Sequence, residues 1–175
     1  MFKIIAVAVL VVLVAILIFA ATKPDTFRVE RTTTIKAAPE KVFALINDFH
    51  RWGTWSPYEK KDPAMKRTHS GAASGTGAIY EWDGDKNVGK GRMEITESTP
   101  SSRIVIKLDF LSPFEAHNTA EFTLQAQGDS TQVSWVMYGP ANYVSKLMSV
   151  FFSMDKMVGD DFAIGLNNLK TAAEQ

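Results

Sequence analysis

An α+β fold is predicted: a curved antiparallel sheet of about seven strands wrapped on a long C-terminal helix, with two short helices after the first strand and one N-terminal transmembrane helix. Three observations carry this. Ile4 to Ala21 is unbroken by charge or proline, the middle of the chain alternates with period two between turn signals, and the stretch after Gly139-Pro140 recurs at three and four residues.

The apolar run comes first. Its ~18 residues make a helix of ~27 Å, close to the ~30 Å hydrocarbon core of a bilayer. A soluble core helix would carry a polar face, and this run has none. The competing reading is a cleaved signal peptide. Lys3 is a weak n-region, the run exceeds the usual ~7–15 residues, and cleavage motifs ending at Ala20 or Ala21 would place bulky Ile18 or Phe19 upstream. A retained anchor from Met1 to Ala21 is therefore expected, with residues 1–24 as anchor and flank and residues 25–175 as the domain. Zero cysteines exclude lipoprotein processing and thiolate chemistry. Lys3 on one side and Lys23, Arg28 and Arg31 on the other leave the positive-inside count undecided. The very short N-terminal flank favours a single-pass protein of a bacterial inner membrane with its domain on the exported side.

About 150 residues remain, enough for one core. Setting Lys3 and Lys23 aside from the 19 basic residues leaves 17 against 19 acidic ones, a net −2 that offers no nucleic-acid surface.

Arg28–Lys36, rich in β-branched residues, reads as the first strand, and Pro39 then opens a short helix over Val42, Phe43, Leu45 and Ile46. Extended runs follow at Met65–His69, Gly77–Asp83, Val88–Glu97, Arg103–Phe110, Ala116–Gln127 and Gln132–Tyr138, joined by turn-like links. After Gly139-Pro140, apolar residues from Tyr143 to Leu169 recur at helical spacing as one long or broken helix. A sheet of this kind buries its concave face against that helix and leaves a cavity between them.

Particular residues in this order resemble a known family. They are Ile35–Phe43 at the first strand-to-helix junction, Ile46–Pro57 after it, Gly77–Trp82, Gly89–Met93, Thr131–Trp135 and Phe162–Lys170. Together, from Phe27 to the end, they are similar to the START-like helix-grip superfamily (SRPBCC), in its polyketide cyclase/dehydrase-type branch. The resemblance implies the helix-grip fold and a cavity, and leaves the reaction open, because the superfamily holds carriers, receptors and cyclases.

No catalytic constellation and no cofactor or metal site is expected. His50, His69 and His117 lack metal-ligand spacing, so each reads as a surface or structural residue. Gly84–Gly91 imitates a phosphate-binding loop but joins two strands, and Gly71–Gly75 has Ala73 where a nucleophile elbow needs serine. Trp52 and Trp55 read as packing under the sheet's end.

Period two gives the inward set. The expected ligand-binding residues are Tyr80, Trp82, Met93, Phe110, Asn118, Trp135 and Met137 from the strands, with Met154 and Val158 from the final helix. Gly89 and Gly91 are expected to make room, and several methionines suit an adaptable wall. Tyr143–Phe152 is expected to be a mobile lid over the cavity mouth that touches the bilayer, against the plainer reading that it extends the core. The expected function is a membrane-anchored binding protein for a small hydrophobic molecule, lipid- or isoprenoid-like. The alternatives are a polyketide cyclase/dehydrase-like enzyme and a protein-interaction module with a filled core. The expected partners are that small hydrophobic molecule and the membrane, with no nucleic acid.

Overall fold

The computed structural model describes residues 2–175. Phe2–Ala21 forms helix α1, whose side chains are exposed along nearly its whole length, so it is no core helix of a soluble domain. Among the described residues it is the one helix long and apolar enough to cross a membrane. Met1, where the expected anchor begins, lies outside the described residues.

Strand β1 (Thr26–Ile35) follows after a short spacer. Ala38 is extended, as the residue before a proline prefers, and Pro39 opens α2 (Pro39–Ile46), where its missing N–H costs nothing. The end of α2 is closed by two indoles. Trp52 Nε1 donates to the Ile46 carbonyl at 2.9 Å and Trp55 Nε1 to the Leu45 carbonyl at 3.0 Å, satisfying carbonyls the helix leaves free. Trp52 belongs to a 3-10 turn (Phe49–Thr54) started by Asp48, whose side chain accepts from the His50 N–H, and Trp55 caps the end of that turn. A one-turn helix, α3 (Tyr58–Lys61), leads on.

These pieces carry the chain across to the far edge of the sheet. Strands β2 (Lys66–Gly71), β3 (Ala78–Asp83), β4 (Lys90–Thr99), β5 (Arg103–Ser112), β6 (Ala116–Gln127) and β7 (Ser130–Pro140) then return by hairpins until β7 pairs with β1. The result is one antiparallel seven-stranded sheet in the order β1-β7-β6-β5-β4-β3-β2. The fourth strand starts two residues later than its apolar pattern suggests. Asp85–Gly89 folds as a turn, with Gly89 at φ +65° and the Gly84 N–H bonded to the Gly89 carbonyl at 2.9 Å. Gly89 therefore serves the turn and does not widen the concave face.

The C-terminal helix is broken. Phe152 is extended, and Ser153 caps a new helix by accepting from the Lys156 N–H, which separates α4 (Tyr143–Phe151) from α5 (Met154–Glu174). Phe162, Leu166, Leu169 and Ala173 of α5 are buried. Arg31 holds its start through Asp155 at 2.9 Å, and the Lys36 N–H bonds Glu174 at its end at 2.7 Å. No residue of α4 is buried, so this segment does not extend the core. It packs against the end of α1 instead.

Candidate functional site

A cavity of about 530 Å³ lies between the concave face and α5. The wall is mostly apolar: Tyr80 and Trp82 from β3, Met93 from β4, Leu108 and Phe110 from β5, Ala120 from β6, Trp135 and Met137 from β7, and Met157, Val158 and Phe162 from α5. The space is off-centre, at the half of the sheet where β7 ends. Toward the other half the core is filled by Trp55, Phe122, Leu166 and Leu169.

Close approaches of glycine shape the wall. Trp82 lies over Gly91 of the neighbouring strand so closely that a Cβ there would stand 2.3 Å from the indole Cζ2. Gly165 does the same for Trp135, where a Cβ would stand 2.7 Å from Cζ3. Helix α5 can thus settle until Phe162 stacks on Trp135 with ring centroids 3.9 Å apart and planes 8° from parallel. Phe122 stacks on the same indole at 5.0 Å and Trp55 meets it edge-on at 5.6 Å, so Trp135 divides the filled half from the open half. Among the described residues, its Nε1 is the one buried side-chain donor or acceptor without a hydrogen-bond partner.

One end of the cavity is polar. Glu59 of α3, mostly buried, accepts from Tyr80 Oη at 2.6 Å and from Arg67 Nε at 2.6 Å. Arg67 is further fixed by the Met65 carbonyl at 2.7 Å. Burial, then the Glu59 carboxylate, pushes the Tyr80 phenol above its ordinary value, so it stays a neutral donor. Tyr58 is raised too, by burial and then by Asp161. Lys61 and Asp161 pair at 2.5 Å across the same rim. The cavity thus suits a mainly apolar molecule that carries a polar group. Among the described residues no cluster of three His, Cys, Asp or Glu side chains could hold a metal.

Behind Tyr80, His50 and His69 stack at 4.2 Å, and His69 meets Tyr80 at 5.0 Å. Burial, then the neighbouring His50, lowers the His69 pKa below 6.5. Because the fold disfavours the protonated ring, His69 supports stability above its unfolded pKa and loses that support as pH falls through the lowered folded value. Ring-proton NMR titration is expected to place the His69 midpoint below that of an unfolded peptide, and His50→Gln is expected to raise it part of the way. A midpoint at the peptide value would contradict this packing.

Of the nine side chains expected at the site, Tyr80, Trp82, Met93, Phe110, Trp135, Met137 and Val158 line this cavity. Asn118 and Met154 do not. Asn118 is buried nearer the start of β6, with Oδ1 2.3 Å from where a Gly139 Cβ would stand, because parity along a strand selects a face and says nothing of position along it. Met154 overhangs as the first residue of α5 and is exposed. The expected lid, Tyr143–Phe152, also contributes no wall residue. Sequence reasoning missed Glu59, Tyr58, Lys61 and Asp161. The Pro57–Pro63 stretch has no periodicity to mark an inward face, and its tyrosine beside a glutamate was the only available signal.

The family model described as polyketide cyclase / dehydrase and lipid transport matches residues 26–174. No curated relative matches. Among solved structures, protein CV1439 from Chromobacterium violaceum is 17% identical, with TM-score 0.60, over 87% of this chain and 99% of that one. The Aha1 dimer from Colwellia psychrerythraea gives 18% and 0.57 over 85% of this chain and 96% of that one. The di-domain ARO/CYC StfQ of the steffimycin biosynthetic pathway gives 10% and 0.61 over 85% of this chain and 51% of that one. At these identities the likeness is one of fold. The family match spans every element from β1 through α5, the same elements that build the cavity, and the chain belongs to the polyketide cyclase/dehydrase and lipid transport family, within the helix-grip superfamily.

Proposed function

We propose that this chain binds a small, predominantly hydrophobic molecule, lipid- or isoprenoid-like, between the sheet and α5, with residues 25–175 as the binding domain and α1 as a retained anchor holding it to a membrane. The observation that carries this reading is the cavity itself. About 530 Å³ lies within the range of small-molecule sites, and its wall is aromatic and aliphatic with polar groups gathered at one end. A core with that much open space gives no support to an interaction module with a filled core. The exposed apolar surface of α1 supports the anchor.

The test is lipid-extract and native mass spectrometry on the full chain purified from membranes. A defined hydrophobic adduct is expected, displaced by the neutral probe N-phenyl-naphthylamine. A protein that carries no adduct and binds no probe would sink the reading. Intact mass on the same sample is expected to show the uncleaved chain, and a mature form beginning near Ala21 or Thr22 would remove the anchor.

A second reading, a cyclase-like enzyme, is favoured by one observation: Tyr80 and Glu59 meet on the cavity wall by a hydrogen bond, with Arg67 held to Glu59 behind them. A carrier releases its extracted ligand chemically unchanged. An enzyme converts it, and Glu59→Gln, which keeps an acceptor for Tyr80 but loses the charge, would abolish that conversion.

A further inference from the structure

Outside α1, every exposed large apolar side chain except Ile164 lies in the β5–β6 hairpin, at Leu111 and Phe114, or between Tyr143 and Met157. The strand registers gather these segments at one end of the sheet. Phe110 stands opposite Ala116, Thr119 opposite Tyr138, and Pro140 opposite Thr26, the first residue of β1 after α1. The domain's exposed apolar surface is therefore concentrated at the end from which α1 departs, where a water-soluble surface would scatter it.

Helix α4 is fixed to α1 at that end. The Tyr143 hydroxyl donates to the Leu17 carbonyl at 3.0 Å, the Ala141 N–H bonds the Asp25 carbonyl at 2.7 Å, Lys146 pairs with Asp25, and Ala20 is fully buried. Leu17 lies four residues inside the end of α1, ~6 Å along its axis, which matches the ~5–10 Å depth of an interfacial amphipathic helix. Lys146 is the sole charged residue of α4, and its partner neutralises it. Met148, Phe151 and Phe152 stay exposed beside it. Met157 joins this patch to the cavity, for it is 62% exposed and also lines the wall.

We propose that the β5–β6 hairpin tip and the segment from α4 to Met157 lie in the surface of the bilayer that α1 crosses, and that the cavity opens into that bilayer at Met157. A hydrophobic ligand then passes between membrane and cavity without crossing water. This rests on α1 being an anchor and the cavity a ligand site, and it assigns the surface and the route of loading.

The test uses the full chain in phosphatidylcholine nanodiscs containing lipids brominated in the upper acyl chain. Tryptophan is added as Phe114→Trp, Phe151→Trp or, as control, Gln127→Trp at the β6–β7 hairpin, a strand length of ~33 Å from the α1 end. Roughly twofold loss of the added fluorescence is expected for the first two and none for the control. Equal, absent quenching in all three while the chain stays in the disc would overturn the proposal and leave the anchor standing. A chain that elutes without the disc overturns both. For loading, energy transfer from the wall tryptophans to dansyl-undecanoic acid is followed after mixing with probe-bearing vesicles. The double variant Met148→Glu/Phe151→Glu is expected to load about tenfold more slowly, with unchanged equilibrium binding. An unchanged loading rate would refute the route. No probe signal from either protein would count against the route and the ligand reading alike.

Discussion

Trp135→Ala is expected to cost ~3–5 kcal/mol, because it removes the largest side chain of the stack that separates filled core from cavity. The indole is 3% exposed and touches Phe162, Phe122 and Trp55. Truncation leaves α5 without its main aromatic contact to β7 and merges the new void with the existing cavity. For a chain of this length the midpoint of thermal unfolding, followed by tryptophan fluorescence in detergent, should fall by ~6–20 °C. Trp135→Phe should cost much less, since it keeps a ring in the stack and deletes an Nε1–H that has no partner. A loss below ~1 kcal/mol for the alanine variant would mean that the stack does not hold α5 to the sheet.

Gly91→Val is expected to abolish probe binding and to destabilise the domain by ~1–3 kcal/mol through overpacking. A Cβ at position 91 would stand 2.3 Å from Trp82 Cζ2 and 2.6 Å from the Asp109 carbonyl oxygen. The carbonyl belongs to the paired strand β5 and cannot retreat without breaking the ladder. Trp82 must therefore swing into the cavity, giving up the bond from its Nε1 to the Val88 carbonyl at 3.1 Å. Fluorescence titration with N-phenyl-naphthylamine checks the binding, and denaturant unfolding checks the stability. Wild-type affinity in the valine variant would show that Trp82 does not bound the ligand space.

Met93 and Glu59 both line the cavity, yet only Met93 owes its place to local sequence. Met93 sits in a strand, where alternate side chains face one side, so its inward position was legible from its neighbours Gly91 and Ile95. Glu59 sits on a single helical turn between two prolines, and nothing local assigns it a face. Its place in the wall is set by Arg67 and Tyr80, which meet it only after α3 has crossed to the far sheet edge. His50 and His69 are a similar case, apart in sequence and stacked in the fold.

What the chain alone determined is what short-range periodicity and solvation dictate: a helix too apolar for water, strands with one buried face, and a final helix with an apolar stripe. Those patterns fixed the fold class and the family resemblance, and they identified seven of the cavity's wall residues. Only the tertiary structure decided where along the strands the core is filled and where it is open. That depends on close approaches such as Gly91 under Trp82 and Gly165 under Trp135, which set how near two layers can come. The placement of α4 was decided the same way. Its amphipathic pattern suits a lid, a core helix or a membrane surface equally. The contacts of Tyr143 with Leu17 and of Lys146 with Asp25, long-range in sequence and invisible to any local period, seat it on the end of α1 and the spacer that follows.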